Sequence, residues 1–201
     1  MLQTQGKRQA ILDAGRRMFI TYGYSAVSMD AIADAAPVSK PTLYKHFKGK
    51  SALFAAVIEA HCQSLLCALK TQQSQHLDPR AGLTAIAHAF IDTLYTPDAL
   101  QLYRLMIAEQ QQFPELGRLV FTLGAEPVLA QLASYLEELH QQRILCIVDI
   151  ALATQLFFGM LKGDSHLRCL LGLQSGLSEL EKRQLIDASV SLFLKGYGYG
   201  E

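Results

Sequence analysis

The 201-residue chain lacks the motifs that covalent chemistry leaves in a sequence. It has no GxSxG, no HExxH and no phosphate-cradling glycine loop. Glu137, Glu138 and His140 share one helical stretch, but a solvated face accounts for them. No enzyme activity and no cofactor are expected. Its four cysteines, Cys62, Cys67, Cys146 and Cys169, form no CxxC pair and show no metal-ligand spacing, so no metal is expected. Buried free thiols in a reducing cytoplasm are the expectation. The first residues, MLQTQGKRQA, hold no apolar core, so no secretory signal is expected. The longest membrane-like run, Ile144 to Leu161, carries Asp149, Thr154 and Gln155, which argues against a membrane span. No repeats and no low-complexity tracts occur.

What is present is apolar and unevenly charged. Half of the residues are hydrophobic, enough for a sizeable core, and the formal net charge is zero. That zero conceals a split. Residues 1–50 hold 8 Lys+Arg against 3 Asp+Glu, and residues 51–201 carry the compensating acidic excess. A basic head on an acidic body suits a nucleic-acid end and a separate partner end, although chance asymmetry produces the same numbers.

Residues 28–47, SMDAIADAAPVSKPTLYKHF, are the most informative stretch. Ser28 is a good N-cap, with Val27 and Ile32 at the positions of a hydrophobic staple. A short helix from Met29 to about Ala35 then presents Ile32, Ala33 and Ala36 inward. Ser39 is the next N-cap, and Pro41 falls in a first turn where no helical hydrogen bond is lost. Leu43 and Phe47 are four apart and share one face. At about 100° per residue, Pro41, Thr42 and Lys45 point outward, with Tyr44 and His46 on the flanks. Hydroxyls, a charge and an aromatic tip on a second helix after a tight turn form the layout of a helix-turn-helix reader of DNA. An ordinary amphipathic helix with a solvated basic face has the same spacing.

The surrounding residues resemble a known family. KRQAILDAGRRMFITYGYSAVSMDAIADAA and then VSKPTLYKHFKGKSALF, over residues 7–54, are similar to the N-terminal DNA-binding domain of the TetR family of transcriptional regulators. The resemblance implies a first helix from about Lys7 to Tyr22, with Ile11, Ala14, Met18 and Phe19 inward and Gly23 as its stop. It implies a fourth helix from Lys50 with Leu53, Phe54, Val57 and Ile58 inward. It also implies contacts to double-stranded DNA. Tyr44, Lys45, His46 and Lys50 would hold phosphates, Pro41 and Thr42 would lie nearest the bases, and Ser28, Ser39 and Lys40 complete the expected set. One residue departs from the family pattern: Pro37 stands where glycine is usual. Proline holds φ near −65°, so either the turn is built differently or the two helices cross at a slightly altered angle. Glycine at that position is then expected to lower stability slightly by loosening the unfolded chain.

Beyond residue 50 the chain reads as successive helices. They run from about Lys50 to Ser74, Pro79 to Tyr95, Pro97 through Glu109, Pro114 to about Gln142 with a break near Gly124 or Pro127, Asp149 onward, and Ser178 to Lys195. A turn at Leu77-Asp78-Pro79 and a frayed tail from Gly196 to Gly200 complete the reading. The expected architecture is all-α, with 1–50 as the helix-turn-helix DNA-binding domain and 51–201 as the ligand-binding and dimerisation domain. The stretch near Leu152 to Leu161 is apolar nearly all round and needs cover on more than one side. Leu152, Leu156, Gly159, Gly163, Val190 and Phe193 are the expected homodimer contacts; a monomeric body with a well-buried central helix would also fit. LFFGMLKGDSHLRCLLG further resembles the C-terminal body of the AefR-like branch.

The family resemblance implies an effector pocket in this body. Phe90, Tyr103, Met106, Phe121, Gln155 and Phe158 are the candidate lining, though each also fits plain core packing. His88, inside AIAHAFI, reads as a core histidine. The function expected is a cytoplasmic, ligand-responsive regulator, a repressor that binds a palindromic operator as a homodimer and is released by an unidentified small molecule. The competing reading is a helical ligand-binding or scaffolding dimer without specific DNA binding.

Overall fold

The computed structural model describes residues 2–74 and 78–199. Its order is α1 (Leu2–Ala26), α2 (Met29–Ala35), α3 (Lys40–His46), α4 (Lys50–Ser74), α5 (Pro79–Leu94), α6 (Pro97–Glu109), α7 (Pro114–Val120), a π-helical turn (Phe121–Ala125), α8 (Glu126–Gln141), α9 (Ile150–Leu170) and α10 (Glu179–Gly196). Among the described residues there is no strand. The chain packs as two compact units, Met1–His61 with Gln101–Gly124, and Cys62–Leu100 with Ala125–Glu201. The boundary between these packing units falls inside α4, and the first unit also includes α6 from Gln101 onward and all of α7.

In the first unit, Ile11, Ala14, Phe19, Ile32, Leu43, Leu53 and Phe54 are almost fully buried in one core with Leu102 and Leu116. α1 breaks at Gly23, whose φ of 84° is accessible to glycine and costly for other residues. The break turns Tyr24 back into the core, where its ring lies 5.3 Å from Phe54 and 5.1 Å from Phe113. Three hydrogen bonds, one to a carboxylate and two from an ammonium, fix this corner. Glu109 at the end of α6 accepts from the Ser25 amide at 3.0 Å. Lys50 at the start of α4 donates to the Tyr24 carbonyl at 2.8 Å and the Ser25 carbonyl at 3.3 Å.

In the second unit α5 packs against α9 and α10, and α8 and α10 each pack against α9. Local sequence sets the starts of these helices. Asp78 accepts from Ala81 at 3.1 Å, and Asp149 accepts from Leu152 at 2.9 Å. Ser178 and Glu181 close a reciprocal capping box. The interruption between α7 and α8 takes the form of the π turn, with Gly124 inside it and Pro127 in the first turn of α8. The run Pro114–Gln141 is long and apolar enough to cross a membrane by length and composition. Its second half nevertheless buries Val128, Leu132, Tyr135, Leu136 and Leu139 along one face, the pattern of a helix laid on a protein core. The tail is docked through Tyr199: the Cys146 amide donates to the Tyr197 carbonyl at 2.8 Å, and the Tyr199 hydroxyl donates to Asp78. Leu77 and Gly200, parts of the expected turn and frayed tail, lie outside the described residues. Cys169 is buried and Cys62 half-buried, but Cys67 and Cys146 are exposed, contrary to expectation. His88 is exposed as well.

Gly82 of α5 is needed for space. A Cβ there would stand 2.2 Å from the Tyr135 hydroxyl and 3.0 Å from its Cζ. That hydroxyl is buried and has no hydrogen-bond partner among the described residues. Burial, and then the charge of Asp78, push its pKa up to about 12, so it stays protonated. Gly82→Ala is expected to gain ~1 kcal/mol of helix propensity and to lose about 2 kcal/mol to overpacking. The net destabilisation, about 1 kcal/mol, should appear in urea unfolding. A Gly82→Ala protein as stable as wild type would show that the Tyr135 ring moves freely.

Candidate DNA-binding surface and regulatory body

The sequence between Val27 and Phe47 folds as its local chemistry demands. Ser28 caps α2 by accepting from the Ala31 amide at 3.1 Å, and Val27 and Ile32 are both buried. Ser39 caps α3: its hydroxyl accepts from the Thr42 amide at 3.4 Å and shares a 2.8 Å hydrogen bond with the Thr42 hydroxyl. Leu43 and Phe47 anchor α3 inward, at 0% and 4% exposure. This leaves Pro41, Tyr44 and Lys45 exposed and Thr42 and His46 half-buried. The reading helix therefore presents the outer face that its spacing predicts.

Beside α3 lies an open groove of about 460 Å³, lined by Ser25 to Asp30, Tyr44 and Lys50. It brings three of the expected contact residues, Ser28, Tyr44 and Lys50, onto one surface. Lys50 is not a free arm. Two of its three ammonium protons are engaged by the Tyr24 and Ser25 carbonyls, and its Nζ sits 4.5 Å from the centre of the Tyr24 ring. One proton remains for the groove. Lys40 is likewise engaged, in an ion pair with Asp30 at 2.7 Å that links the starts of α3 and α2.

The turn corrects the expectation for Pro37. Its φ is 20°, about 85° from the angle that the proline ring prefers. The reason is the helix ending it serves. Ala36 ends α2 with φ −93° and ψ 11°, and the Val38 amide reaches back to the Ala33 carbonyl at 3.1 Å. That bond is the longer of the two in a Schellman ending, with Pro37 at the position glycine usually occupies. The turn adopts an ending that glycine usually serves and forces the proline into it. Proline, without an N–H, also cannot supply the second bond of the motif. The expected sign of a glycine substitution is therefore reversed.

Two residues outside the motif belong to this surface. The Arg8 guanidinium lies 5.3 Å from the centre of the Phe47 ring, at the end of α3. Glu109 holds the Ser25 amide at the rim of the groove. Neither leaves a local sequence signal, because both act across long chain separations.

The expected effector pocket divides. Phe90 and Phe158 meet, with ring centres 4.4 Å apart, inside the second unit. Phe158 continues to Phe157, Phe193 and Tyr197 in a chain of ring contacts. Gln155 is exposed on the other face of α9. Met106 packs against the core of the first unit, Tyr103 is half-buried on α6 of that same unit, and Phe121 is 55% exposed. Three of the six thus belong to the first unit and three to the second.

The expected dimer contacts divide too. Leu152 and Leu156 are each 50% exposed, and a Cβ added at Gly159 would meet nothing within 4 Å. Gly163 is open as well, but its φ of 49° and ψ of −162° break α9, so it marks a bend and not merely a smooth helix contact. The Tyr95 hydroxyl satisfies the carbonyls freed there, donating to Lys162 at 2.7 Å and Leu161 at 3.3 Å. Val190 and Phe193 are 1% and 3% exposed, buried in their own subunit, which removes them from the list. Leu180 and Leu192, exposed on α10, are the residues its outer face offers instead.

Comparison with known proteins accords with this geometry. Residues 11–57 match the family of bacterial regulatory proteins named for TetR. Residues 81–199 match the C-terminal domain of AefR-like transcriptional repressors. A TetR-family transcriptional regulator from Mesorhizobium loti superposes with a TM-score of 0.84 at 32% identity, over 97% of this chain and 98% of that one. The flavonoid-responsive regulator FrrA gives 0.77 at 36% identity, over 94% and 96%. The transcriptional activator FasR of Mycolicibacterium smegmatis is 38% identical over 100 residues, 50% of this chain and 45% of that protein. The match thus spans about half the length of that curated relative. These relatives are transcriptional regulators and not enzymes, and this chain belongs to the TetR family, with a C-terminal domain of the AefR-like kind.

Proposed function

We propose that the protein is a homodimeric repressor that inserts α3 into successive major grooves of a palindromic operator and is released by a small apolar effector. The observation that carries the DNA part is the groove joining Ser28, Tyr44 and Lys50 beside α3. The recess offers the Ser25, Ser28 and Tyr44 hydroxyls and one ammonium proton of Lys50, while the Asp30 carboxylate in its lining is paired with Lys40, an arrangement that suits a phosphate. Pro41 and Thr42, on the outer face of α3, then lie toward base edges. Lys45 and His46 add charge along the backbone, while Ser39 and Lys40 hold the helix start.

A planar or aromatic effector is the reading favoured by one contact and one relative. Phe90 and Phe158 are an adaptable aromatic pair in the second unit, and the relative FrrA, 36% identical, is described as responsive to flavonoids. An effector acts only by binding one spacing of the two reading helices more tightly than another. Partners are double-stranded DNA, an unidentified small molecule and a second copy of the chain, in the cytoplasm.

Tyr44→Ala tests the DNA surface. Tyr44 is 48% exposed, so its loss should leave the fold intact. The expected cost is about 1 kcal/mol of DNA affinity, roughly fivefold. The probe is a duplex that the wild-type protein selects from a random pool, read by fluorescence anisotropy beside a circular-dichroism melt. Unchanged affinity would remove Tyr44 from the contact set. Failure of the wild-type protein to select any duplex would favour the scaffolding alternative.

A further inference from the structure

The end of the reading helix collects positive charge that no carboxylate answers. Lys45 and His46 occupy its last turn and Lys48 follows it. Arg8 arrives from α1, far away in sequence, with its guanidinium over the Phe47 ring at 5.3 Å. Among the described residues, none of Arg8, Lys45 and Lys48 has an Asp or Glu partner at ion-pair distance. Phe47 is itself the C-cap of α3, 4% exposed, with its amide bonded to the Leu43 carbonyl. A guanidinium seated on that ring is tied to the end of the reading helix. The cation–π contact restrains the guanidinium while Arg8 stays exposed, so its planar fork remains able to meet two oxygens of one phosphate. Arginine restrained by a ring also loses less side-chain freedom on binding than a free surface lysine.

We propose that Arg8 is a phosphate-binding residue, held by Phe47 at the trailing end of α3 so that it extends the DNA contact onto α1. The proposal rests on the reading of the protein as a DNA binder. A phosphate contact predicts a particular signature. It carries no sequence information, so its loss weakens all duplexes alike, and it releases about one counterion, so its loss flattens the salt dependence.

The experiment measures affinity for the wild-type-selected duplex and for a mixed-sequence duplex between 50 and 200 mM salt. Wild type, Arg8→Ala and Arg8→Lys are compared, with a circular-dichroism melt of each. The slope of log affinity against log salt should be shallower by about 0.9 in Arg8→Ala. The advantage of wild type over that variant should then shrink about 3.5-fold across the salt range, equally on both duplexes. Arg8→Lys keeps the charge and should keep the wild-type slope. An Arg8→Ala slope equal to wild type overturns the proposal, whether or not the melting temperature falls, since a residue that only shields Phe47 alters stability and not counterion release. A loss confined to the selected duplex also overturns it, by making Arg8 a base reader. Absence of DNA binding by the wild-type protein overturns the DNA-binding reading itself, an outcome distinct from the other two.

Discussion

Gly159→Arg is expected to leave the protein monomeric at micromolar concentration and to weaken binding to a two-half-site operator on the order of a hundredfold. The substitution is chosen because the isolated subunit tolerates it. A Cβ at Gly159 meets nothing within 4 Å, so arginine fits without disturbing the core. Its cost falls on whatever covers α9. Leu152 and Leu156, each half exposed, and Gly159 follow one another at helical spacing, while Ala153, Phe157, Phe158 and Leu161 face inward. The exposed stripe is where a second α9 would lie, with Leu180 and Leu192 of α10 beside it. A long charged side chain in such a contact would have to desolvate or push the helices apart. A monomer then holds a single half-site and forfeits the high effective concentration of its second reading helix. Sedimentation velocity and operator anisotropy read the two consequences, and circular dichroism confirms the fold. A Gly159→Arg protein that sediments as a dimer would move the interface away from α9.

Pro37→Gly should raise stability by about 2 kcal/mol. The φ of 20° places the proline ring under strain on the order of 1–3 kcal/mol. Glycine removes that strain and brings back an N–H for the missing bond of the Schellman ending, worth about 1 kcal/mol. Against these stands the looser unfolded chain, about 0.4–1 kcal/mol. Relief of strain wins. For a chain of this size, the melting temperature should rise by about 4–8 °C if unfolding is a single transition. DNA affinity should stay within about tenfold, because buried Ile32, Leu43 and Phe47 fix how α2 and α3 cross. A fall in melting temperature would show that the turn is relaxed around its proline. A hundredfold gain in affinity would mark Pro37 as an inactivating change and revive the scaffolding reading.

The reading motif was legible because its determinants are local. Ser28 and Ser39 cap within three residues, Leu43 and Phe47 are one turn apart, and Gly23 breaks α1 where the sequence placed the stop. The helices of the body were legible for the same reason, since Asp149 and Ser178 announce their own helices. Long-range relations were not. Nothing near Glu109 signals that it closes on Ser25, and nothing near Arg8 signals Phe47. Apolar character alone could not separate Val190 and Phe193, which fill their own subunit, from Leu180 and Leu192, which do not. The turn at Pro37 is less legible for a different reason: Ala33, Ala36 and Val38 shape it, and the proline yields to them against its own preference.

The discontinuous first unit bears on transplanting the reading head. The expected boundary at residue 50 would invite a graft of residues 1–50 onto a different body. Such a fragment would leave behind Leu53, Phe54, Leu102 and Leu116, all nearly fully buried against it, together with the Phe113 ring and the Glu109 carboxylate that hold the Tyr24 corner. The same order governs biosynthesis. The head emerges first, but its core stays open until α7, which ends at Val120, has left the ribosome, about seventy residues after α4 begins at Lys50. A chimera that keeps the native head should therefore carry α6 and α7 as well, or rebuild their contacts in the acceptor.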